Sequence, residues 1–352
     1  MKRIKNLLRL LKINDLDSFI FSTPENVSYL TQFISRDAYF LVSKKGCFYF
    51  TDGRYIEEVK PKLKNIASLV KTNGSLFNNL AKKCNDLELK RVGFEERHLP
   101  YAEYKKLKNL LKPKIYFIPC HGILESLRQT KDSEEISKIR QAIKITGLAL
   151  EYIKDFIRPG MKELEIVAEL ERFIRYQGAS GPSFDIIVAS GPNSSLPHHA
   201  PTTRRLQNNE PVMIDLGVDY SGYKSDLTRV FFLGKISVLA QEIYKIVLTA
   251  QEKAIKKIRA GIEISTIAEL SRKYIADKGY AKYFVHNLGH GVGLNIHEDP
   301  SVSVNNTDLL RPGMILTIEP AIYLPNRFGI RIEDMILVNE KGCEVLSGSI
   351  NK

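Results

Sequence analysis

Residues Val212–Phe232 read VMIDLGVDYSGYKSDLTRVFF. Two apolar runs flank a turn at Gly222, and each holds one aspartate: Asp215 between Ile214 and Leu216, and Asp226 where the return run begins. The Val, Ile, Leu and Phe content predicts two paired strands. A carboxylate is almost never fully buried unless it is paired or binds a metal. An apolar hairpin with two of them therefore calls for a cation. A second hairpin does the same: Ile315–Val338, ILTIEPAIYLPNRFGIRIEDMILV, places Glu319 on one strand and Glu333 on the next. Between the hairpins lies HNLGHGVGLNIHEDP, His286–Pro300, with His290 among glycines that let the backbone turn sharply or approach a ligand. That glycine cluster lacks the spacing and the following helix of a phosphate loop.

Asp215, Asp226, His290, Glu319 and Glu333, from three separated segments, form a candidate dinuclear metal site. Four carboxylates balance the charge of two divalent ions. An oxygen-rich set with one imidazole suits Mn²⁺ or Co²⁺ best, with Zn²⁺ and Fe²⁺ also open. Bridging carboxylates can hold two metals roughly 3.5–4 Å apart around a shared water, whose pKa they lower toward neutrality. Strand alternation puts Thr317 with Glu319, and Arg331 with Glu333, on common faces. Five of the seven histidines fall in the same part of the chain, as His198, His199, His286, His290 and His297. His199 reads as a bystander of His198. No Gly-x-Ser-x-Gly elbow supports a serine triad.

Outward from the acids, helical spacing runs from Ile136 to Phe156 behind a capping-box-like Asp132 and Glu135, and Arg158-Pro159-Gly160 stops it. Further helices are predicted over Leu164–Tyr176, closed by Gly178, over 238–259, and from a Ser265 cap to Gly279. Two helices and a hairpin thus occur twice, a weak repeat of architecture. The first third alternates predicted strands (17–22, 38–43, 46–51, 91–94, 114–119) with helices (2–12, 54–63, 76–84, 102–111), and it carries no ligand spacing. The division is an N-terminal α/β domain over 1–127 and a catalytic domain over 128–352.

At 352 residues, two domains are expected. Four dispersed cysteines form no Cys-x-x-Cys pair and suggest a reducing compartment. No apolar run reaches spanning length, and the basic start MKRIKNLLRLLK reads as an amphipathic helix, so a cytoplasmic protein without membrane contact is expected. The net charge of +12 is uneven: residues 1–130 hold 24 Lys and Arg against 13 Asp and Glu, and the remainder 28 against 27. The basic residues are scattered without stacking aromatics, which reads as a solvated face with no nucleic-acid partner.

DLGVDYSGYKSDLTR, HNLGHGVGLNIHEDP, IEP and RIED, in this order, resemble the pita-bread metallopeptidases, within them the proline-specific Xaa-Pro aminopeptidases and Xaa-Pro dipeptidases (prolidases). NVSYLTQF and TDGRY in the first third resemble that branch's creatinase-like N-terminal domain. The resemblance implies an α+β pita-bread catalytic domain and a metal-dependent peptidase that hydrolyses the N-terminal Xaa-Pro bond with a hydroxide bridging two metals. It makes Asp215, Asp226, His290, Glu319 and Glu333 the ligands, with Asp226 and Glu333 bridging and Glu319 also the general base. His198 and His297 would act on the scissile carbonyl, and His198, His286, His297 and Arg331 would contact substrate. A homodimer and a peptide with proline at its second position are the implied partners. Ala321 departs from the family's usual glycine after Glu-Pro. The competing reading is a non-catalytic relative that binds peptides or nucleic acid in the same bowl, which the intact ligand set disfavours. A methionine aminopeptidase would share fold and metals, but the long N-terminal domain argues against it.

Overall fold

The computed structural model describes residues 2–72 and 74–352, which divide into two compact units, through Arg128 and from Gln129 onward. In the first unit, among the described residues, a six-stranded sheet has the order Ser68–Lys71, Gly46–Thr51, Tyr39–Ser43, Ser18–Phe21, Arg91–Glu95, Tyr116–Cys120. Ser18–Phe21 pairs antiparallel with Tyr39–Ser43 and parallel with Arg91–Glu95. Ile20, Leu41, Phe50 and Val92 from the strands meet Leu80, Cys84 and Leu107 from the helices Leu76–Asp86 and Tyr101–Leu110 in one apolar core. The predicted helix over 54–63 shrinks to Ile56–Val59. Three elements went unforeseen: the edge strand Ser68–Lys71, short and half-exposed, the helix Pro24–Thr31, which opens on a proline, and the single-turn helix Glu125–Arg128.

The second unit repeats a pair of helices and a strand hairpin, as the sequence pattern suggested. Its first helix, Ser133–Phe156, starts at a complete capping box: Glu135 N donates to Asp132 Oδ1 at 3.0 Å and Asp132 N to Glu135 Oε2 at 3.0 Å. Such a cap contributes about 1 kcal/mol. It stops at Ile157, because Pro159 disfavours helical geometry before it. Glu163–Tyr176 follows, and Val238–Lys257 and Ile264–Asp277 form the second pair. The last of these corrects one expectation: Glu263 occupies the cap, and Ser265 is a buried residue inside the helix. Ile243, Val247, Ala250 and Ala254 on one face of Val238–Lys257 pack with Ile318, Ile322 and Ile330 of the glutamate hairpin. Among the described residues, no helix is long and apolar enough to cross a membrane.

Both hairpins are interrupted, and the interruptions position the acids. In the first, Glu210–Leu216 pairs with Leu227–Leu233, with Leu216 opposite Leu227 and Asp215 opposite Thr228. Beyond that point the chain forms a separate small ribbon, Val218–Tyr220 with Tyr223–Lys224, so Asp226 sits at the break just before its strand. In the second, Ile318 faces Asp334 and Ala321 faces Arg331, while 319–320 and 332–333 stay unpaired between them. The expected continuous strand is therefore two short ones, Ile315–Ile318 and Ala321–Leu324, because Pro320 has no N–H to donate to a ladder. Glu319 and Glu333 both project from this gap.

Candidate metal centre

The acids and imidazoles meet where the two hairpins approach each other. Donor atoms within 4.8 Å of one another form three overlapping groups: Asp215 with Asp226 and Glu333, His290 with Glu319 and Glu333, and Asp226 with His290 and His297. His290 Nε2 stands 3.5 Å from both Asp226 Oδ2 and Glu319 Oε1. Gly289 makes this approach feasible, since a Cβ there would collide with the Thr317 carbonyl. His290 N donates to Thr317 Oγ1 at 3.1 Å, which fixes the ring's base.

Crowding so many acids has an electrostatic consequence. Burial, then repulsion from Asp215 and Glu319, raises the Asp226 carboxyl well above its ordinary range, and burial with Asp226 and Glu319 does the same for Glu333. Burial pushes Glu319 up to about 7, against the opposing pull of His290 and Arg331. Asp215 Oδ1 is buried and has no hydrogen-bond partner among the described residues. A cluster of mutually repelling carboxyls with an orphaned oxygen fits divalent cations, which would neutralise the first and ligate the second.

Arg331 braces one wall. Its Nη2 donates to Asp215 Oδ2 at 2.6 Å, Nε to Thr228 Oγ1 at 2.9 Å, and Nη1 to Tyr323 OH at 2.6 Å and to the Pro197 carbonyl at 3.2 Å. Thr228 Oγ1 in turn donates to Glu333 Oε2 at 2.7 Å. The guanidinium thus orients Asp215 directly and Glu333 through one hydroxyl. Arg331 is buried and gives four of its five N–H donors to protein groups.

The other histidines ring the opening. His286 Nε2 lies 3.1 Å from Tyr323 OH. Burial first, then the nearby Arg331 charge, lowers His286 to about 4. The exposed His297 packs edge-on against His290 with ring centroids 4.2 Å apart. Desolvation and the neighbouring His290 and His198 lower it to about 4. Both rings are therefore neutral hydrogen-bonding groups at pH 7. His198 is exposed and near enough to act electrostatically on both. His199 is buried and bonded to Glu163, so it is no bystander. Sequence reading missed Thr228, Tyr323, Glu163 and Gln251. The period of two from Asp226 to Thr228, and from Glu319 to Tyr323, was the signal available for the first two.

Residues 137–340 match the model of metallopeptidase family M24, and residues 3–130 match the creatinase/prolidase N-terminal domain. A protein of Bacillus subtilis (strain 168) described as uncharacterized peptidase YqhT is 36% identical over 349 residues, covering 99% of this chain and 98% of its own. The Xaa-Pro dipeptidase from Bacillus anthracis superposes with a TM-score of 0.96 at 38% identity, covering 100% of this chain and 98% of that one. The X-Pro aminopeptidase from Thermotoga maritima MSB8 gives 0.89 at 34% identity, covering 96% and 97%. This likeness establishes the pita-bread architecture behind an N-terminal α/β domain.

Proposed function

The chain belongs to metallopeptidase family M24, and on that premise we propose that it hydrolyses the N-terminal Xaa-Pro bond of peptides at a dinuclear centre. The observation that carries the reading is the convergence of Asp215, Asp226, His290, Glu319 and Glu333 in overlapping donor groups, with Asp215 Oδ1 buried and partnerless among the described residues. These five side chains would hold two divalent ions, Mn²⁺ or Co²⁺ by donor chemistry, with Asp226 and Glu333 shared between them. Bound there, the ions supply Lewis acidity and a nucleophilic water at neutral pH.

The chain's own residues do the rest. Glu319 takes the proton of the attacking water and returns it to the departing proline nitrogen. His198 and His297 donate hydrogen bonds to the developing oxyanion. Arg331 keeps Asp215 from rotating. Proline makes a tertiary amide with no N–H, so the site must accept the ring by fit and must protonate a poor leaving group. His286 and Tyr323 line the wall beside the histidines. The same reading makes the protein a cytoplasmic homodimer.

The test is a cleavage panel of Ala-Pro and Ala-Pro-Xaa peptides against Ala-Ala counterparts, with Mn²⁺, Co²⁺ or Zn²⁺ added, beside elemental analysis. Cleavage confined to Xaa-Pro and two ions per chain are expected. Equal rates on Ala-Pro and Ala-Ala would remove the proline assignment, and one ion or none would remove the dinuclear one.

A further inference from the structure

Glu163 opens the helix Glu163–Tyr176 and is completely buried, yet it belongs to no group of metal donors. Its Oε1 accepts from Ser190 N at 2.8 Å, Ser190 Oγ at 2.7 Å and Asn193 Nδ2 at 3.0 Å. Its Oε2 accepts from His199 Nε2 at 2.9 Å, Thr202 N at 3.0 Å and Thr202 Oγ1 at 2.8 Å. Every one of these donors lies in residues 190–202. One carboxylate therefore ties both ends and the middle of the segment that presents His198. The segment's own regular structure is one short turn, Gly191–Ser195, so these bonds supply what a helix or strand would. Its far side is anchored by Gly329 N donating to Ser194 Oγ at 2.9 Å and by Arg331 on the Pro197 carbonyl. The His198 ring itself has no hydrogen-bond partner among the described residues. No side-chain hydrogen bond of its own therefore fixes it, and its place depends on how the backbone of the segment is held.

We propose that Glu163 is the positioning residue for His198: its two oxygens, bonded by donors spread along the 190–202 segment with Asn193 Nδ2 reaching both, hold that histidine at the metal centre. The proposal deepens the peptidase reading and rests on it for the role of His198. The charge pattern agrees, since burial would raise the carboxyl but His199, Ser190 and Asn193 hold it down at about 2. An amide cannot substitute. Whichever way a glutamine turned, its NH₂ would face a backbone N–H, Ser190 on one side or Thr202 on the other, and neither donor can reverse.

The test uses the full chain with E163Q, T202V, H198A and the double variant E163Q/H198A. We expect E163Q to lower kcat/KM on Ala-Pro peptides by about 10- to 100-fold, the scale of a misplaced catalytic group, with metal content unchanged. E163Q/H198A should fall no further than H198A alone, because one variant acts through the other. Independent of turnover, ¹⁵N-histidine labelling should show the His198 ring signal shifted or broadened in E163Q, and to a lesser degree in T202V, while His98 and His121 do not move. Multiplying losses in the double variant, or an unmoved His198 signal in folded E163Q, would overturn the proposal. Absence of Xaa-Pro cleavage by the unaltered protein would defeat the peptidase assignment instead, and the ring signals would still decide the clamp.

Discussion

His297 touches His290 and also stands within ligand distance of Asp226, so its role turns on which bond it makes. As a neutral donor to the oxyanion, its replacement by Ala should lower kcat by about 10²–10³ while five other donors keep both ions bound. Elemental analysis checks this directly, and an ion lost from H297A would make it a ligand. Glu163 supports a second expectation, on stability. Its folded value of about 2 lies below the ordinary 4.5, a lowering that corresponds to about 3 kcal/mol. Because the shift is downward, this stabilisation is present above the unfolded carboxyl's pKa. It is lost as pH falls from about 4.5 toward 2. Urea midpoints of the parent and E163Q should therefore differ at pH 7 and converge at acid pH, and a gap independent of pH would contradict the assignment.

The glutamate hairpin shows how an element can be broken and still be rigid. Gln251 on Val238–Lys257 spans its gap at 319–320 and 332–333, donating to Ile318 O at the gap's edge at 2.9 Å and to Ile332 O within it at 3.1 Å. The aspartate hairpin is served similarly from Ser133–Phe156, where Thr146 Oγ1 and Ser225 Oγ lie 2.7 Å apart beside Asp226. Q251L should destabilise the protein by about 1–3 kcal/mol for each carbonyl left bare and weaken metal binding, since Glu319 and Glu333 both hang from this gap. Denaturation and metal titration would read the two effects, and unchanged values in both would show that the amide is dispensable. The metal acids were legible in sequence because apolar strands around a carboxylate are rarely accidental. Gln251 was not, since a buried glutamine on an apolar helix face looks like any surface residue until its two carbonyl partners are placed. Glu163 hid for the same reason: its donors lie 27 to 39 positions away. Boundaries suffered where the backbone rather than the apolar period decided them: Pro320 offers no N–H to a ladder, and Glu263 holds the cap position without a side-chain cap bond.

The two units have separate cores, one built on Ile20, Leu41 and Val92, the other on Val247, Ile318 and Ile336. All candidate ligands belong to the second unit, from Gln129 onward. An ion that binds only the folded state stabilises the unit that contains its ligands, by about 2.7 kcal/mol when it is present at 100 times its dissociation constant. For a unit of this size, each kcal/mol moves Tm by about 2–4 °C. Calorimetry of the full chain should accordingly resolve two transitions. Chelation should lower the one that belongs to the catalytic unit by about 5–10 °C, and the other should hold its place. Glu333→Gln should reproduce the chelated trace without chelator, because removing that donor dismantles two of the three overlapping groups. A single transition that shifts as a whole on chelation would show that the units unfold together, so that metal binding stabilises the α/β unit as well.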